Sequence, residues 1–227
     1  MSVISKDSSN NSIVSQLVSI VGADYVQDDE EAREFYSTDL SYTDGEVADV
    51  VVSPGNTVQL SQCLAAAAAL GLPIVPRGGG MSYTMGYQPE QPSSVLIDMR
   101  RMNKIIDLNT EDMYVTVEAG CTWKDLYEQL MDGDVPVRTP YFGPLSGMYA
   151  TIGGAVSQNS LFLGSGIYNT VAESVLGMKV VLANGNILQT GSAAHKNGSP
   201  FFRHFGPDLT GIFTADTGAF GIKSEIT

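Results

Sequence analysis

The sequence predicts an α+β fold with two β-sheets. Some segments carry apolar residues at helical spacing, and others are short β-branched runs bounded by turn residues. A strand–helix–strand order over residues 48–76 predicts parallel pairing, because the crossover helix returns the chain in the same direction. Later in the chain, Asn184-Gly185 between two strand-like runs predicts a β-hairpin.

The N-terminal region predicts two helices. Ile13, Leu17 and Ile20 fall on one face of the first helix, and Gly22 marks its end. The stretch DDEEAREFY predicts a second, acidic helix.

The next region predicts the parallel sheet. ADVVVSP predicts a buried strand closed by Pro54, and Asn56 or Thr57 caps a helix that ends at Gly71. LPIVP predicts a strand that leads directly into three glycines. The runs SVLIDM, KIIDL and MYVTVEAG predict three more strands.

The remainder predicts helices and strands around an irregular loop. Thr122 caps a helix that ends at Gly133, residues 134–150 predict loop, and TIGGAVSQ predicts a helix start. ESVLGMKVVLANGNILQTG predicts the hairpin strands, and GAFGIKSEIT predicts a last strand. We divide the chain into an N-terminal helical segment, 1–45, and a main domain, 46–227, with subdomains of about 46–120 and 121–227.

The charge balance excludes one class of partner. The net charge of −13 and the pI of about 4.3 argue against nucleic acid, because a polyanion needs a basic surface. An anionic cofactor would therefore be held mainly by backbone N–H groups. No apolar run approaches the roughly 20 residues of a membrane span, and the polar N-terminus has no signal-peptide core. We expect a cytoplasmic protein.

Several common catalytic and nucleotide-binding motifs are absent. There is no GK dipeptide and so no P-loop, and no GxSxG or HExxH motif. Gly78-x-Gly80-x-x-Tyr83 lacks the third glycine of the dinucleotide fingerprint. We expect no metal site, since only two histidines and two cysteines occur. Surface or capping roles are expected for His195 and His204, and buried thiols for Cys63 and Cys121.

Three glycine-rich motifs carry the functional signal. In PRGGGMS, successive N–H groups after a strand can form a concave anion nest, to which Ser82 can add a hydroxyl. A structural turn fits the same residues equally well. ATIGGA has two glycines at a helix start, where backbone can approach an anion closely. GAFGI by itself is a glycine-rich strand.

Taken together and in order, these pieces resemble the FAD-binding domain of the vanillyl-alcohol oxidase / p-cresol methylhydroxylase family. The pieces are PRGGGMS, VLIDMRRMNKI, VTVEAGCTWKDLYEQL, ATIGGAVSQN, VLGMKVVLANGNILQTG and PDLTGIFTADTGAFGIKSEIT, from about Ala48 to the last residue. The D-lactate and glycolate dehydrogenase branch is nearest. The resemblance implies a two-subdomain PCMH-type fold with FAD between the subdomains.

The resemblance also implies how FAD is held. The loop from Gly78 to Ser82 would bind the pyrophosphate, the Gly143 region would line the flavin, and Ile222 would offer backbone groups to the adenine. The implied cofactor-binding residues are Pro76, Arg77, Gly78, Gly79, Gly80, Met81, Ser82, Gly86, Pro140, Gly143, Pro144, Thr151, Ile152, Gly153, Gly154, Ser157, Gly221 and Ile222.

Two positions bear on how the flavin is attached. Family members with covalent flavin carry His after the glycines or Cys before the later glycine motif. Here these places hold Met81 and Tyr149, so we expect dissociable FAD, and we expect Gly79→Val to weaken its binding.

In this family a substrate-binding cap domain normally follows the flavin domain. We expect it to be absent from this chain, so that a missing C-terminal domain or a partner subunit would supply it. Its absence would leave apolar surface exposed. Phe142, Tyr141 and Tyr168 are the candidates, with packing inside the loop as the alternative.

The resemblance leaves three functions open. The first is an FAD-dependent oxidoreductase, or its flavin-binding half, that oxidises a hydroxyl-bearing small molecule such as a 2-hydroxy acid. The second is a non-catalytic FAD-binding or assembly subunit, and the third is a structural domain without FAD. No catalytic base is identified, since structural roles are favoured for Asp98, Glu118 and Asp208.

Overall fold

The computed structural model describes residues 6–41, 45–133, 137–141, 143 and 146–227. In chain order, the helices and strands are α1 Lys6–Val21, β1 Val26–Gln27, α2 Glu30–Tyr36, β2 Val50–Val52, α3 Thr57–Ala69, β3 Ile74–Arg77, β4 Val95–Asp98, β5 Ile105–Asn109, β6 Tyr114–Glu118, α4 Trp123–Met131, α5 Ile152–Gln158, α6 Ser165–Tyr168, β7 Met178–Val181, β8 Ile187–Gln189, α7 Leu209–Ile212 and β9 Ile222–Ile226. Helices and strands are mixed along the described residues, with a run of strands from β3 to β6 followed by a run of helices from α4 to α6, as in an α+β fold.

The first sheet has the strand order β1-β2-β4-β3. β4 pairs in parallel with both β2 and β3, which confirms the predicted parallel pairing, and β1 is antiparallel to β2. The N-terminal segment therefore contributes a strand as well as helices. Asn56 is the residue that caps α3, through a hydrogen bond from the Gln59 N–H (2.9 Å).

Alternating side chains of the first sheet enter two different apolar clusters. Val50 and Val52 belong to a large cluster that includes Ile13 and Leu17 of α1. Val51, between them, packs in a second cluster with Leu96, next to Tyr36. Because successive strand residues point to opposite faces, the valine run is buried from both sides.

The second sheet has the strand order β5-β6-β9-β7-β8, and its pairs are antiparallel. The predicted last strand, β9, lies in the middle of this sheet, between β6 and β7. β5 and β6 also belong here, although they precede residue 120. The subdomain boundary stays a prediction, and this strand pairing favours a division between β4 and β5.

The predicted hairpin between β7 and β8 is confirmed and contacts the first half of the chain. Gly185 takes a φ of +85°, and its N–H donates to the Leu182 carbonyl (2.8 Å). The Ser61 hydroxyl of α3 donates to the Gly185 carbonyl (2.6 Å). The tip of the second sheet is thereby tied to α3, the helix that connects β2 and β3 of the first sheet. Within the described residues, no helix combines the length and apolar character needed to cross a membrane.

Candidate functional site

A cleft of about 400 Å³ opens where β3 ends, between the glycine loop (residues 78–82) and α5. A smaller pocket of about 30 Å³ continues from it to the start of β9. β3 belongs to the first sheet, and β9 lies in the middle of the second. The two cavities thus form one groove between the sheets. Their shared wall consists of Arg77, Gly78, Tyr87, Thr151 and Gly154.

The main-chain N–H groups of the glycine loop are free. None of the N–H groups from Gly78 to Ser82 donates a hydrogen bond to a described residue. Half-buried backbone donors normally find a partner, so such a run of free donors is uncommon. Successive N–H groups in a turn suit an anion. The loop therefore has the donors that an anion nest requires.

The glycines are also needed for packing inside the protein. A Cβ atom at Gly78 would overlap the Thr151 hydroxyl, and one at Gly79 would overlap the Tyr149 carbonyl oxygen. Gly80 takes a φ of +70°, and a Cβ there would meet the Arg77 guanidinium. The structural turn, one of the two alternatives that the sequence left open, is therefore present, and the anion cradle stays a prediction that the free N–H groups favour.

Arg77 places a positive charge beneath the glycine loop. Arg77 is only 7% exposed. Its guanidinium carbon lies 5.4 Å from the centroid of the Tyr36 ring and 5.7 Å from the centroid of the Phe35 ring. Burial, together with nearby Arg100, lowers the pKa of Arg77. Among the described residues, no carboxylate forms a salt bridge with it. Its N–H groups donate to the carbonyls of Thr38 (3.3 Å) and Gly78 (3.5 Å), and the charges of Asp98 and Asp39 act on it without direct contact. A buried cation without a direct carboxylate partner, beside free N–H groups, favours an anionic ligand.

The first N–H groups of α5, by contrast, are hydrogen-bonded within the protein. The N–H groups of Ile152 and Gly153 each donate to a carbonyl oxygen of the β6–α4 connection, at 2.8 Å. The Gly154 N–H donates to the Thr151 hydroxyl (3.2 Å), which caps the helix. This motif can form a wall of the groove, but its first N–H groups are not available to a phosphate.

The groove brings together most of the predicted cofactor-binding residues. Those that line it come from β3, the glycine loop, α5 and the start of β9. They are Pro76, Arg77, Gly78, Gly79, Gly80, Met81, Ser82, Thr151, Gly153, Gly154, Ser157, Gly221 and Ile222.

The other predicted residues do not line the groove. Ile152 is buried in the core, and the Cβ position of Gly86 lies 3.4 Å from Thr217 Cγ2. The carbonyl of Pro140 packs against Gly164. Gly143 is indirectly connected, because its Cβ position lies 3.1 Å from the ring of Phe162, which does line the cleft. Pro144 lies outside the described residues.

Some groove residues carry no signal in the sequence. Gln158 Nε2 donates to Ser82 Oγ (3.2 Å) and Thr84 Oγ1 (3.0 Å), which links α5 to the glycine loop. Tyr87 lines both cavities. Lys223 lines the smaller pocket, and the only available hint was a lysine within the otherwise apolar start of the last strand.

The three carboxylates for which structural roles were favoured all make structural contacts. Asp98 pairs with Arg100 (2.9 Å), and Asp208 pairs with Arg203 (3.0 Å) and accepts the Gly211 N–H at the start of α7. Glu118 accepts the Lys104 N–H (2.9 Å). None of the three is among the described residues that line the groove.

The expectation that Tyr141 is exposed is wrong. It is 3% exposed, and its hydroxyl lies 2.8 Å from the Thr170 carbonyl, so the loop-packing alternative holds for this residue. Its ring packs edge-on against Trp123. Tyr168 is exposed, and Phe142 lies outside the described residues.

The cysteine and histidine side chains have the burial and exposure that the sequence predicted. Cys63 and Cys121 are free and buried, and His195 and His204 are exposed. No His or Cys is among the described residues lining the groove, and Met81 lines the cleft. Within the described part of the chain, no cluster of three or more His, Cys, Asp or Glu residues could hold a metal ion.

Comparison with known proteins identifies the ligand class. A family model described as FAD binding domain matches residues 48–191. Glycolate oxidase subunit GlcD of Bacillus subtilis is 31% identical over 210 residues, which are 92% of this chain and 43% of that protein. A mitochondrial D-lactate dehydrogenase [cytochrome] of Arabidopsis thaliana is 34% identical over 182 residues, which are 80% of this chain and 30% of that protein.

Solved structures show the same fold. A p-cresol methylhydroxylase structure aligns with a TM-score of 0.83 at 22% identity, over 98% of this chain and 43% of that one. An alkyldihydroxyacetonephosphate synthase aligns with a TM-score of 0.80 at 22% identity, over 95% of this chain and 39% of that one. The predicted fold class and resemblance are confirmed. The chain spans less than half the length of these relatives.

Proposed function

Because this chain belongs to the FAD binding domain family, we propose that it is the FAD-binding part of an oxidoreductase acting on a hydroxyl-bearing small molecule. The observation that carries the proposal is the glycine loop, with free N–H groups from Gly78 to Ser82 above the Arg77 guanidinium, which forms no salt bridge with a described carboxylate. The names of the relatives, glycolate oxidase and D-lactate dehydrogenase, favour a 2-hydroxy acid as substrate. When bound, FAD supplies the two-electron acceptor.

The residues of the groove fit FAD. Its pyrophosphate carries negative charge, and the free N–H groups of residues 78–82 with Arg77 offer complementary donors. Thr151 and Gly154 form the facing wall, where a short side chain and a glycine leave room for a ligand. In a chain of net charge −13, backbone donors bind an anion without requiring a basic surface.

We propose that the flavin is held without a covalent bond. Met81 lacks the nucleophilic nitrogen that His would supply, and the exposed Tyr149 lacks a thiol. Cys63 and Cys121 are both buried in the core, and the exposed His195 and His204 are not among the described lining residues.

A second candidate is a non-catalytic subunit that binds FAD and docks another chain or domain. It is favoured by two exposed apolar side chains: Leu161, which lines the cleft next to Phe162, is 72% exposed, and Ile167 of α6 is 79% exposed. An apolar rim of this kind is typical of a surface that another domain or protein covers.

The test is titration of the purified 227-residue chain with FAD, followed by absorbance and flavin fluorescence. We expect saturable binding, and after acid precipitation the flavin should remain in the supernatant. Flavin retained in the pellet would overturn the non-covalent proposal, and no binding at all would overturn the cofactor proposal.

Anaerobic addition of D-lactate or glycolate to the FAD-loaded chain then separates the two candidates. Bleaching of the flavin absorbance by either acid supports the oxidoreductase. Tight FAD binding without bleaching supports the assembly subunit. The cytoplasmic location is likewise a proposal, and cell fractionation with detection of this chain tests it.

A further inference from the structure

A turn of uncommon backbone conformation, residues 215–218, leads toward β9. Ala215 and Thr217 take φ values of +56° and +50°, and Gly218 takes a φ of +85°. The left-handed region is uncommon for a residue with a side chain, and a β-branched threonine there is an outlier. Such a conformation costs free energy and persists only where surrounding contacts hold it. The contacts of the 215–218 turn therefore show what this conformation achieves.

The turn contacts the end of α5, which forms one wall of the groove. The Ala215 N–H donates to the Val156 carbonyl (3.1 Å), and the Thr217 N–H donates to the Ser157 carbonyl (3.0 Å). The last carbonyls of a helix have no partner within the helix itself. The two residues that supply these donors are the two with left-handed φ values that are not glycine. The strained backbone of the turn thus holds the end of α5.

The turn also contacts the opposite side of the groove, where β3 leads into the glycine loop. Gly218 and Pro76 both line the smaller pocket, and a Cβ atom at Gly218 would lie 2.6 Å from Pro76 Cγ. Thr217 Cγ2 lies 3.4 Å from the Cβ position of Gly86, which follows the glycine loop in sequence. The turn is therefore in contact with both structures between which the groove opens.

A buried ion pair anchors the turn to β9, in the middle of the second sheet. The side chains of Asp216 and Lys223 are 1% and 2% exposed, and Lys223 Nζ donates to Asp216 Oδ1. The Gly218 N–H donates to the same oxygen (3.0 Å). Because both side chains are enclosed, neither can contact a ligand in the groove. Any effect of the pair on a ligand must therefore act through the turn.

Stability alone does not explain this ion pair. Asp216 Oδ2 is buried and accepts no hydrogen bond from a described residue. Removing two charges from water costs free energy, which their attraction offsets only with good geometry and satisfied hydrogen bonds. Apolar residues of similar volume often stabilise a core as well or better. The contacts of the pair favour a positioning role instead.

We propose that Asp216 and Lys223 are positioning residues that fix the spacing between the glycine loop and α5. This inference rests on the proposed function. With the turn anchored, the two walls of the groove have the spacing that FAD requires before the cofactor arrives. A preformed site binds more tightly, because less conformational freedom is lost on binding. Without the pair, the ligand-free protein has that spacing only part of the time, and the Kd rises by the inverse of that fraction.

The deciding variant is Asp216→Ala with Lys223→Met. It removes both charges and the acceptor for the Gly218 N–H, and it leaves no buried charge unpaired. Asp216→Asn with Lys223→Met is the conservative variant, because an amide oxygen can still accept that N–H. The matched control is Lys179→Met with Glu225→Gln. That ion pair also involves β9 (2.7 Å), and neither residue is among the described residues that line the groove.

Thermal unfolding without ligand is measured first, to choose a temperature at which every variant is folded. FAD association and dissociation rates are then measured by stopped-flow fluorescence. For the deciding variant we expect FAD binding to be weaker by roughly three- to tenfold. The loss should come from slower association with unchanged dissociation, since the FAD-bound groove is the same. The conservative variant should lose less, and the control should bind FAD as the wild type does.

Each other outcome overturns the inference. Unchanged FAD affinity in the folded deciding variant would show that the pair serves stability only. Faster dissociation with unchanged association would indicate direct contact with FAD, and an equal loss in the control would indicate a general effect of β9. If both double variants fail to fold, the pair is a requirement of folding and not of FAD binding. Wild-type protein that binds no FAD would instead overturn the proposed function, and with it this inference.

Discussion

The Cβ position of Gly79 lies against the carbonyl oxygen of Tyr149, so that the glycine loop and the segment before α5 touch backbone to backbone. The sequence left two roles open for Gly79, a structural turn and a cofactor contact. The structure adds a reason that holds without any ligand. Any side chain at this position must displace main chain, which cannot rotate away as a flexible side chain can.

We therefore predict that Gly79→Ala destabilises the free protein. The added methyl group should lower the free energy of unfolding by about 1–3 kcal/mol and also weaken FAD binding. Thermal or urea unfolding without FAD measures the first effect. Gly166→Ala is the control, since its Cβ position has no heavy atom within 4 Å. Ligand-free stability equal to wild type would contradict the packing role and leave only cofactor contact.

The second prediction concerns Arg77→Met. The guanidinium has no direct carboxylate partner among the described residues. Its removal loses a hydrogen bond to the Thr38 carbonyl and two ring contacts, so the free protein should lose about 1–2 kcal/mol. FAD affinity should fall by roughly tenfold or more, since a charge-assisted hydrogen bond to the pyrophosphate is lost. Isothermal calorimetry measures the affinity, and exposed Arg138→Met is the control. Equal affinities in both variants would place the pyrophosphate elsewhere.

A third prediction concerns acid stability and Asp39. Burial raises its pKa, but hydrogen bonds from Ser41 and Met85 outweigh this and hold the pKa below the ordinary value of 3.8. A lowered folded-state pKa means that the stabilisation is complete above 3.8. It is lost as the pH falls through the folded-state value.

Asp39→Asn should therefore lose less stability than wild type on acidification. Thermal unfolding of both proteins is measured between about pH 6 and pH 3. The other carboxylates are common to both proteins, so the difference between the two stability curves reports Asp39 alone. Parallel curves for the two proteins would show that Asp39 contributes nothing through its charge.

The fourth prediction concerns the two thiols. Burial raises the pKa of both Cys63 and Cys121 to about 12, so neither is a thiolate at neutral pH. Because the thiolate is the nucleophile, iodoacetamide should label neither in the native protein, and both should react after denaturation. Mass spectrometry counts the adducts. Rapid native labelling of either thiol would show that its part of the core opens readily.

Local patterns predicted the segments of this fold well. The caps at Asn56, Thr122 and Thr151, and the turn glycine at Gly185, act on residues within one turn of themselves. Their effect is therefore present in any short stretch of chain. β1 and the short helices α6 and α7 were not predicted, because two to four residues are too few for a periodic pattern.

The candidate site was predictable in part. Glycine-rich motifs marked the wall of the groove, but two of them looked equivalent in sequence. Only the structure shows that the N–H groups of Ile152 and Gly153 donate hydrogen bonds to the β6–α4 connection, while those of residues 78–82 remain free. Which donors are free depends on carbonyl groups supplied from elsewhere in the chain, and no local pattern records that.

The sequence by itself determined the fold class, the type and order of most elements, and the family with its FAD cofactor. These follow from side-chain periodicity, turn chemistry and motif order, which are properties of neighbouring residues. The tertiary structure alone decided that β9 lies between β6 and β7, that Tyr141 is buried, and that Asp216 and Lys223 form a buried ion pair. Strand pairing and burial depend on contacts between distant parts of the chain, so they exist only once it has folded.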